Sequence, residues 1–434
     1  METYNEAIQF SNSDIKPLNR DVKATKRRFY SNNGNSFSQA GSEIRIPVSG
    51  NFLLSNQDTS LNFAFTWTLG AATNPVIDFS HWGAFQQIRV ESNGQILEQI
   101  DEPGVLYNLM SQWNWSQNEI NKNNARGMGV VAQQAIATGI LTKSGEIPAT
   151  TTAQRVSLPL CELMGVFSGD KSVPLMNTSG LTIVLTLATP ASRIVVGGTA
   201  PSALDTFVYS DLYITATCIE AGPEYEKALA SVKSGNQYNE VSILMQTARR
   251  YIGSVAGAAP LVNQQIQIND RSKSAMGIWA VSRATADITD YAKYSTSSSC
   301  FAVYVNHCAV INGTNYPTAQ ISTLSEAAEE SYKVANIYKK QTPKGYQQGG
   351  IINRGQLIAA EGTAAGSSLC LAVNLSKTGA DETMFGAGLD LSTSNSPNVF
   401  QVSYTPAAAS TINVYVLAQA LLHINGMGQF STEI

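Results

Sequence analysis

The chain has 434 residues, enough for two domains with separate cores, because a single hydrophobic core stops growing well below this length. Only 14% of the residues are charged against 43% hydrophobic, where about 25% charge is usual for a soluble domain, and Ser, Thr, Asn, Gln, Ala and Gly fill the place of the missing charge, which suits a surface covered by neighbouring protein. A net charge of −4 excludes a chain that binds nucleic acid over its whole surface, and the scattered Cys161, Cys218, Cys300, Cys308 and Cys370 exclude a disulfide framework and read as free thiols.

Residues 1–40 are polar and gather Lys16, Arg20, Lys23, Lys26, Arg27 and Arg28 against Asp14 and Asp21, which reads as a basic N-terminal arm outside any core. No opening apolar segment resembles a signal peptide, and no run approaches the roughly 18 apolar residues of a membrane-spanning helix. The chain is therefore expected to be made and folded in soluble form, with the sequons at Asn114, Asn177, Asn312 and Asn374 unmodified.

From Glu43 the pattern changes. Ile44, Ile46 and Val48 alternate with polar residues, and Leu61, Phe63, Phe65, Trp67 and Leu69 do the same, which predicts half-buried strands. Ile88–Ser92 and Gln95–Glu98 flank Asn93-Gly94, the pair that tolerates the positive φ angles of a type I′ turn. The simplest hairpin register sets Val90 opposite Leu97 and Arg89 opposite Glu98 as a cross-strand charge pair. Asp101 then caps a helix with Pro103 in its first turn and Val105, Leu106, Leu109, Met110 and Trp113 on one face.

Residues 114–153 lack a sustained period and are expected to form a long excursion. Strands resume at 155–160, 181–187 and 207–219, where Leu212, Ile214, Ala216 and Cys218 share a face and close a first β-sandwich. A short helix at 223–232 serves as connector. A second set of strands is predicted at 266–268, 275–281, 301–305, 356–360, 369–375, 399–404 and 412–424, interrupted by a helix over 327–338 that the capping box Thr323/Glu326 initiates. The chain thus divides into an arm (1–40), a first sandwich (41–222), a helical linker (223–240) and a second sandwich (241–434). The halves repeat one order of parts without sequence identity, as an ancient duplication would, because a sandwich core constrains pattern more than identity.

The segment Gly41–Val48, the strand ending in Trp67, the hairpin Arg89–Glu98 and Ile100-Asp101-Glu102 before Val105–Asn108 resemble the start of double-jelly-roll major capsid proteins. Among the lineage that includes adenoviruses, tectiviruses and large eukaryotic DNA viruses, the look is closest to polinton-like viruses and virophages. Phe385–Leu391 and the closing strand through His423–Gly426 are similar to the second roll of that family. The resemblance implies an all-β fold of two tandem jelly-roll β-sandwiches with short inserted helices, and a structural protein, not an enzyme. It further implies a homotrimer of pseudo-hexagonal outline that tiles an icosahedral shell beside neighbouring capsomers, penton and minor capsid proteins, placing the protein in the virion. On this reading Lys16, Arg20, Lys23, Lys26, Arg27 and Arg28 contact the genome or an inner membrane, or else pair with acidic loops of neighbouring subunits.

No catalytic, cofactor or metal residues are assigned. Gly165–Ser172 has glycines spaced too closely for a phosphate-binding loop and places Asp170 before its lysine, so it reads as a surface turn. Cys300, His307 and Cys308 lack the second half of a zinc site and read as buried thiols and a core or loop histidine. His81, His307 and His423 stand near no nucleophile motif, and Glu329-Glu330 reads as a solvated helix face. The alternative function is a secreted-type carbohydrate-binding or carbohydrate-processing β-sandwich, with Trp113, Trp115 and Trp279 stacking on sugars.

Overall fold

The computed structural model describes residues 22–56, 58–68, 75–77, 81–114, 133–134, 142–143, 153–168, 172–176, 178–188, 194–196, 206–220, 222, 227, 240–257, 260–286, 288, 301, 303–337, 370–377, 385–393, 396–406 and 408–434. Eight principal strands build the first half: β1 (Lys23–Tyr30), β2 (Glu43–Val48), β3 (Ser60–Thr68), β4 (Phe85–Ser92), β5 (Gln95–Asp101), β6 (Gln154–Pro159), β7 (Leu181–Leu187) and β8 (Thr206–Glu220). All their pairings are antiparallel and nested: β1 with β8, β2 with β7, β3 with β6, β4 with β5. The two sheets run β1-β8-β3-β6 and β2-β7-β4-β5, which is a jelly roll.

The second half repeats this nesting strand for strand. It comprises β9 (Glu240–Val255), β10 (Val262–Ile268), β11 (Ala275–Ala284), β12 (Tyr304–Ile311), β13 (Thr314–Ile321), β14 (Leu371–Asn374), β15 (Asn398–Tyr404) and β16 (Ser410–Asn425), in sheets β9-β16-β11-β14 and β10-β15-β12-β13. A last strand, β17 (Phe430–Glu433), returns along β16. Each roll inserts a helix directly after a hairpin: α1 (Pro103–Asn114) follows β5, and α2 (Leu324–Ile337) follows β13. The corresponding hairpins close on Asn93-Gly94 (φ 50° and 80°) and Asn312-Gly313 (φ 53° and 75°), so the two rolls share a turn signature as well as an order of parts.

The capping box forms as the sequence predicts, with the Glu326 N–H donating to Thr323 Oγ1 and the Thr323 N–H donating to Glu326 Oε2, both at 3.2 Å. Other expectations are corrected. Lys23–Tyr30, assigned to the arm, is a strand of the first sheet, paired from Lys23 opposite Glu220 to Tyr30 opposite Tyr213. It escaped the pattern because it is an edge strand, mostly exposed, whose Phe29 alone packs against the apolar core. The 301–305 strand lies further on, at β12, and the polar β13 and the sixteen-residue β9 went unread. The helical connector lies outside the described residues except Lys227, which is helical; the 356–360 strand lies wholly outside them, as does the 114–153 excursion apart from Asn114 at the end of α1, Ala153 and a short pairing of Gln133–Gln134 with Thr142–Lys143.

The β4–β5 hairpin departs from the simple register. Glu91 pairs with Ile96 but Val90 with Glu98 and Arg89 with Gln99, so Leu97 is an extra, bulged residue. The bulge lets two successive side chains leave solvent: Leu97 enters the core at 2% exposure, and Glu98 is buried at 3%. Arg89 pairs instead with Glu91 (2.5 Å) and Glu43 (2.9 Å).

Candidate assembly surfaces

The basic residues read from the sequence divide into two groups. Lys16 and Arg20 lie outside the described residues, while Lys23, Lys26, Arg27 and Arg28 all lie on β1. Arg27 pairs with Glu220 and places its guanidinium 5.3 Å from the Phe52 ring centroid. Arg28 lies 4.9 Å over the Tyr213 ring, a cation–π contact that holds it flat on the sheet. Antiparallel register puts Lys26, Arg28 and Tyr30 on the outward face, away from the core-facing Ile214, Ala216 and Cys218.

A second surface joins the rolls. β11 is buried along its whole length, so both its faces are covered. Ile278 and Ala280 enter the core of the second roll, whereas Trp279 and Val281, with Tyr415 and Leu417 of β16, belong to an apolar cluster continuous with the first roll. The outer face of β9-β16-β11-β14 thus sits against edge strand β5 and the Gly165–Phe167 turn at β9, and against α2 at β11 and β14, where α2 in turn meets α1. Because that face is apolar at Trp279 and Val281, most of β11 shows no polar half, and the sequence does not distinguish it from a core strand.

Polar groups set the alignment of this joint. The Gly165 and Val166 N–H groups donate to the two oxygens of the Glu98 carboxylate, at 2.7 and 2.9 Å. Of the segment read as a surface turn, Gly165–Ser168 are buried and 169–171 lie outside the described residues: the backbone does hold an anion, but that anion is the chain's own carboxylate. A Cβ on Gly165 would stand 1.9 Å from the Gln246 carbonyl oxygen of β9 and 2.8 Å from Glu98 Oε1. Gly165→Ala is accordingly expected to lower stability by about 1–3 kcal/mol through overpacking, read as a shifted denaturant midpoint; an unchanged midpoint would refute this close approach. Arg283, 1% exposed, meets Glu102 across the joint at 3.6 Å, and the Tyr415 hydroxyl donates to the Glu102 carbonyl at 3.3 Å.

The remaining chemical candidates are structural. Trp279 is fully buried and donates Nε1–H to Cys370 Sγ at 3.1 Å, so it presents no ring to a sugar; the Trp113 side chain and Trp115 lie outside the described residues. Cys300 also lies outside them, and Cys308 is a buried free thiol. Glu329 is exposed, but Glu330 is partly buried and accepts from the Asn374 N–H at 3.1 Å. Ser242, His423 and Glu433 form a row, with Ser242 Oγ 2.9 Å from Nδ1 and Glu433 Oε2 3.2 Å from Nε2. The row crosses β9, β16 and β17 and ties the C-terminal strand to the sheet.

His307 is buried, with Nε2 donating to the Ala372 carbonyl at 2.9 Å and Nδ1 2.6 Å from the Tyr304 hydroxyl. Burial pushes its pKa down to about 4 and that of His81, packed against Phe63 and Phe65, down to about 3. Both rings are neutral in the fold but take up a proton in the unfolded chain below about pH 6.5. The unfolded state then binds more protons, so their contribution falls as pH drops from about 6.5 toward the folded values. The thermal midpoint is expected to be lower at pH 5 than at pH 7, and His307→Gln to lessen the difference; an identical difference in the variant would refute the assignment.

No protein-family model matches the sequence, and no curated protein matches it significantly. Among solved structures the fold is similar to PBCV-1 VP54, as fitted into a cryo-EM reconstruction of the virophage Sputnik, with TM-score 0.62, 12% identity, and 97% of this chain and 99% of that chain covered. It is similar to the Faustovirus major capsid protein (TM-score 0.57, 8% identity, 95% and 92% covered). The mavirus major capsid protein is similar too (TM-score 0.54, 9% identity, 94% and 90% covered). Cover is near complete in both directions at an identity too low to carry anything but architecture. The chain therefore has the double jelly-roll fold of these viral major capsid proteins.

Proposed function

We propose that the protein is the major capsid protein of an icosahedral virus, resident in the virion. Homotrimers of pseudo-hexagonal outline tile the shell through contacts with neighbouring capsomers, penton and minor capsid proteins. The observation that carries this reading is the pair of equivalent rolls in one chain, joined through a buried apolar face. Three such chains present a near-sixfold set of similar wedges, a shape suited to close tiling. Stable interfaces of this obligate kind bury on the order of 2,000–5,000 Å2, which accords with a chain so poor in charge.

Contact with the genome or an inner membrane is proposed for Lys16, Arg20, Lys23 and Lys26, since Arg27 is held by Glu220 and Arg28 lies on Tyr213. Electron microscopy of the purified protein, with its mass measured by light scattering, tests the reading. Uniform trimers of hexagonal outline are expected, and a monomer at micromolar concentration would overturn it.

A further inference from the structure

His81 opens the short 3-10 helical turn His81–Ala84, which leads directly into β4. Its side chain is fully buried in the first roll, with the Phe63 and Phe65 rings edge-on at 5.6 and 5.3 Å, and neither ring nitrogen has a hydrogen-bond partner among the described residues. A neutral imidazole occupies such a site at the cost of one unpaired N–H. An imidazolium cannot stay there, because it brings two N–H groups and a full charge to a place without an acceptor. We propose that His81 is an acid-operated latch: when its ring takes up a proton, the His81–Ala84 turn leaves the core of the first roll and withdraws the seat of α1 beside the joint between the rolls.

Among the described residues, no charge on the surrounding elements holds the ion in place. β3 and β7 carry no ionisable side chain. On β4, Arg89 and Glu91 alternate with the buried Ile88 and Val90 and pair with each other. On β6, Arg155 pairs with the exposed Asp211. α1 offers only Tyr107, whose hydroxyl donates to Glu162 at 2.7 Å, and Glu102 before it faces Arg283. β8 supplies Tyr209, 5.6 and 5.1 Å from the Phe63 and Phe65 rings, whose phenol burial keeps neutral. The other fully buried histidine is built differently. His307 has the Ala372 carbonyl at Nε2 and the Tyr304 hydroxyl at Nδ1, and that hydroxyl donates onward to the Ile321 carbonyl, so a cation there finds an oxygen at both nitrogens.

The turn is coupled to the joint by close packing. Gly83 and Gly104 meet backbone to backbone: a Cβ on Gly104 would stand 2.6 Å from Gly83 Cα. α1 in turn lies against α2, and Glu102 at its start reaches Arg283 of the second roll. The sign of the pH dependence follows. An exposed imidazole titrates near pH 6.5, whereas burial holds that of His81 down to about 3. The open form therefore binds more protons as pH falls, and opening is favoured about 25-fold more at pH 5 than at pH 7.

Hydrogen exchange of the full chain at pH 7 and pH 5, corrected for the intrinsic pH dependence of amide exchange, tests the latch. Wild-type peptides within 81–110 are expected to lose protection about 25-fold on acidification. His81→Leu, close in volume and unable to take a proton, is expected to hold its protection at both pH values, while His307→Gln loses it as the wild type does. A His81→Leu protein that loses as much as the wild type overturns the proposal, as does a wild type that loses none or a His307→Gln protein that abolishes the loss. Should His81→Leu fail to fold, His81→Gln replaces it. Should both fail, the wild type decides alone: a loss confined to 81–110 and the residues packed on it supports the latch, and a uniform loss along the chain overturns it.

Discussion

Glu98→Ala is expected to destabilise the protein by about 3–5 kcal/mol, as loss of a buried charged partner does. The carboxylate is 3% exposed and accepts from two backbone N–H groups, those of Gly165 and Val166, which face the second roll. Truncation leaves both donors buried without an acceptor and opens a void beside β9. Glu98→Gln separates charge from shape: its amide oxygen can serve one N–H, but its NH2 group is turned against the other. Its cost is therefore expected to be below that of the alanine variant but still large, about 2–3 kcal/mol. Urea titration reads the total, and hydrogen exchange at the Gly165 and Val166 amides reads the local opening. A loss under about 0.5 kcal/mol, the range of ordinary surface substitutions, would show that the carboxylate does not hold the joint.

Glu98 also shows where a sequence stops being readable. Asn93-Gly94 announces the hairpin, and the turn is where it should be, but nothing in Gln95–Glu98 announces a bulge. One extra residue moved Glu98 from a surface ion pair with Arg89 to a buried cap on another loop. Asn312-Gly313, the same signal in the second roll, marks a hairpin that alternation alone concealed, because its outgoing strand β13 is polar and carries Pro317. β1 was concealed for a related reason: with a partner on one side only, its lysines and arginines can stay in water while its backbone is paired. In contrast, β2, β7 and α2 were legible, since each buries one face and caps or turns with residues of distinct chemistry. What escaped was the relation between rolls. An alternating pattern says which side of a strand is buried but not against what, and the buried second face of β11 is invisible to it.

Arg283→Ala is expected to cost about 3–5 kcal/mol and to loosen the two rolls from one another. The residue is next to last in β11, beside Ser282, and nothing in its neighbours marks it as a core position; yet it is 1% exposed, with Glu102 at 3.6 Å. Glu102 stands where β5 turns into α1, and its carbonyl accepts the Tyr415 hydroxyl, so charge, strand end and helix start meet at one point between the rolls. Arg283→Lys keeps the charge but loses the planar fork and its donors, and a loss between wild type and alanine is expected. A double-mutant cycle with Glu102→Gln isolates the pair, and a coupling of about 0.5–3 kcal/mol is expected for residues in direct contact. A coupling indistinguishable from zero would assign the cost to lost packing of the arginine stem, and the ion pair would then have no part in aligning the rolls.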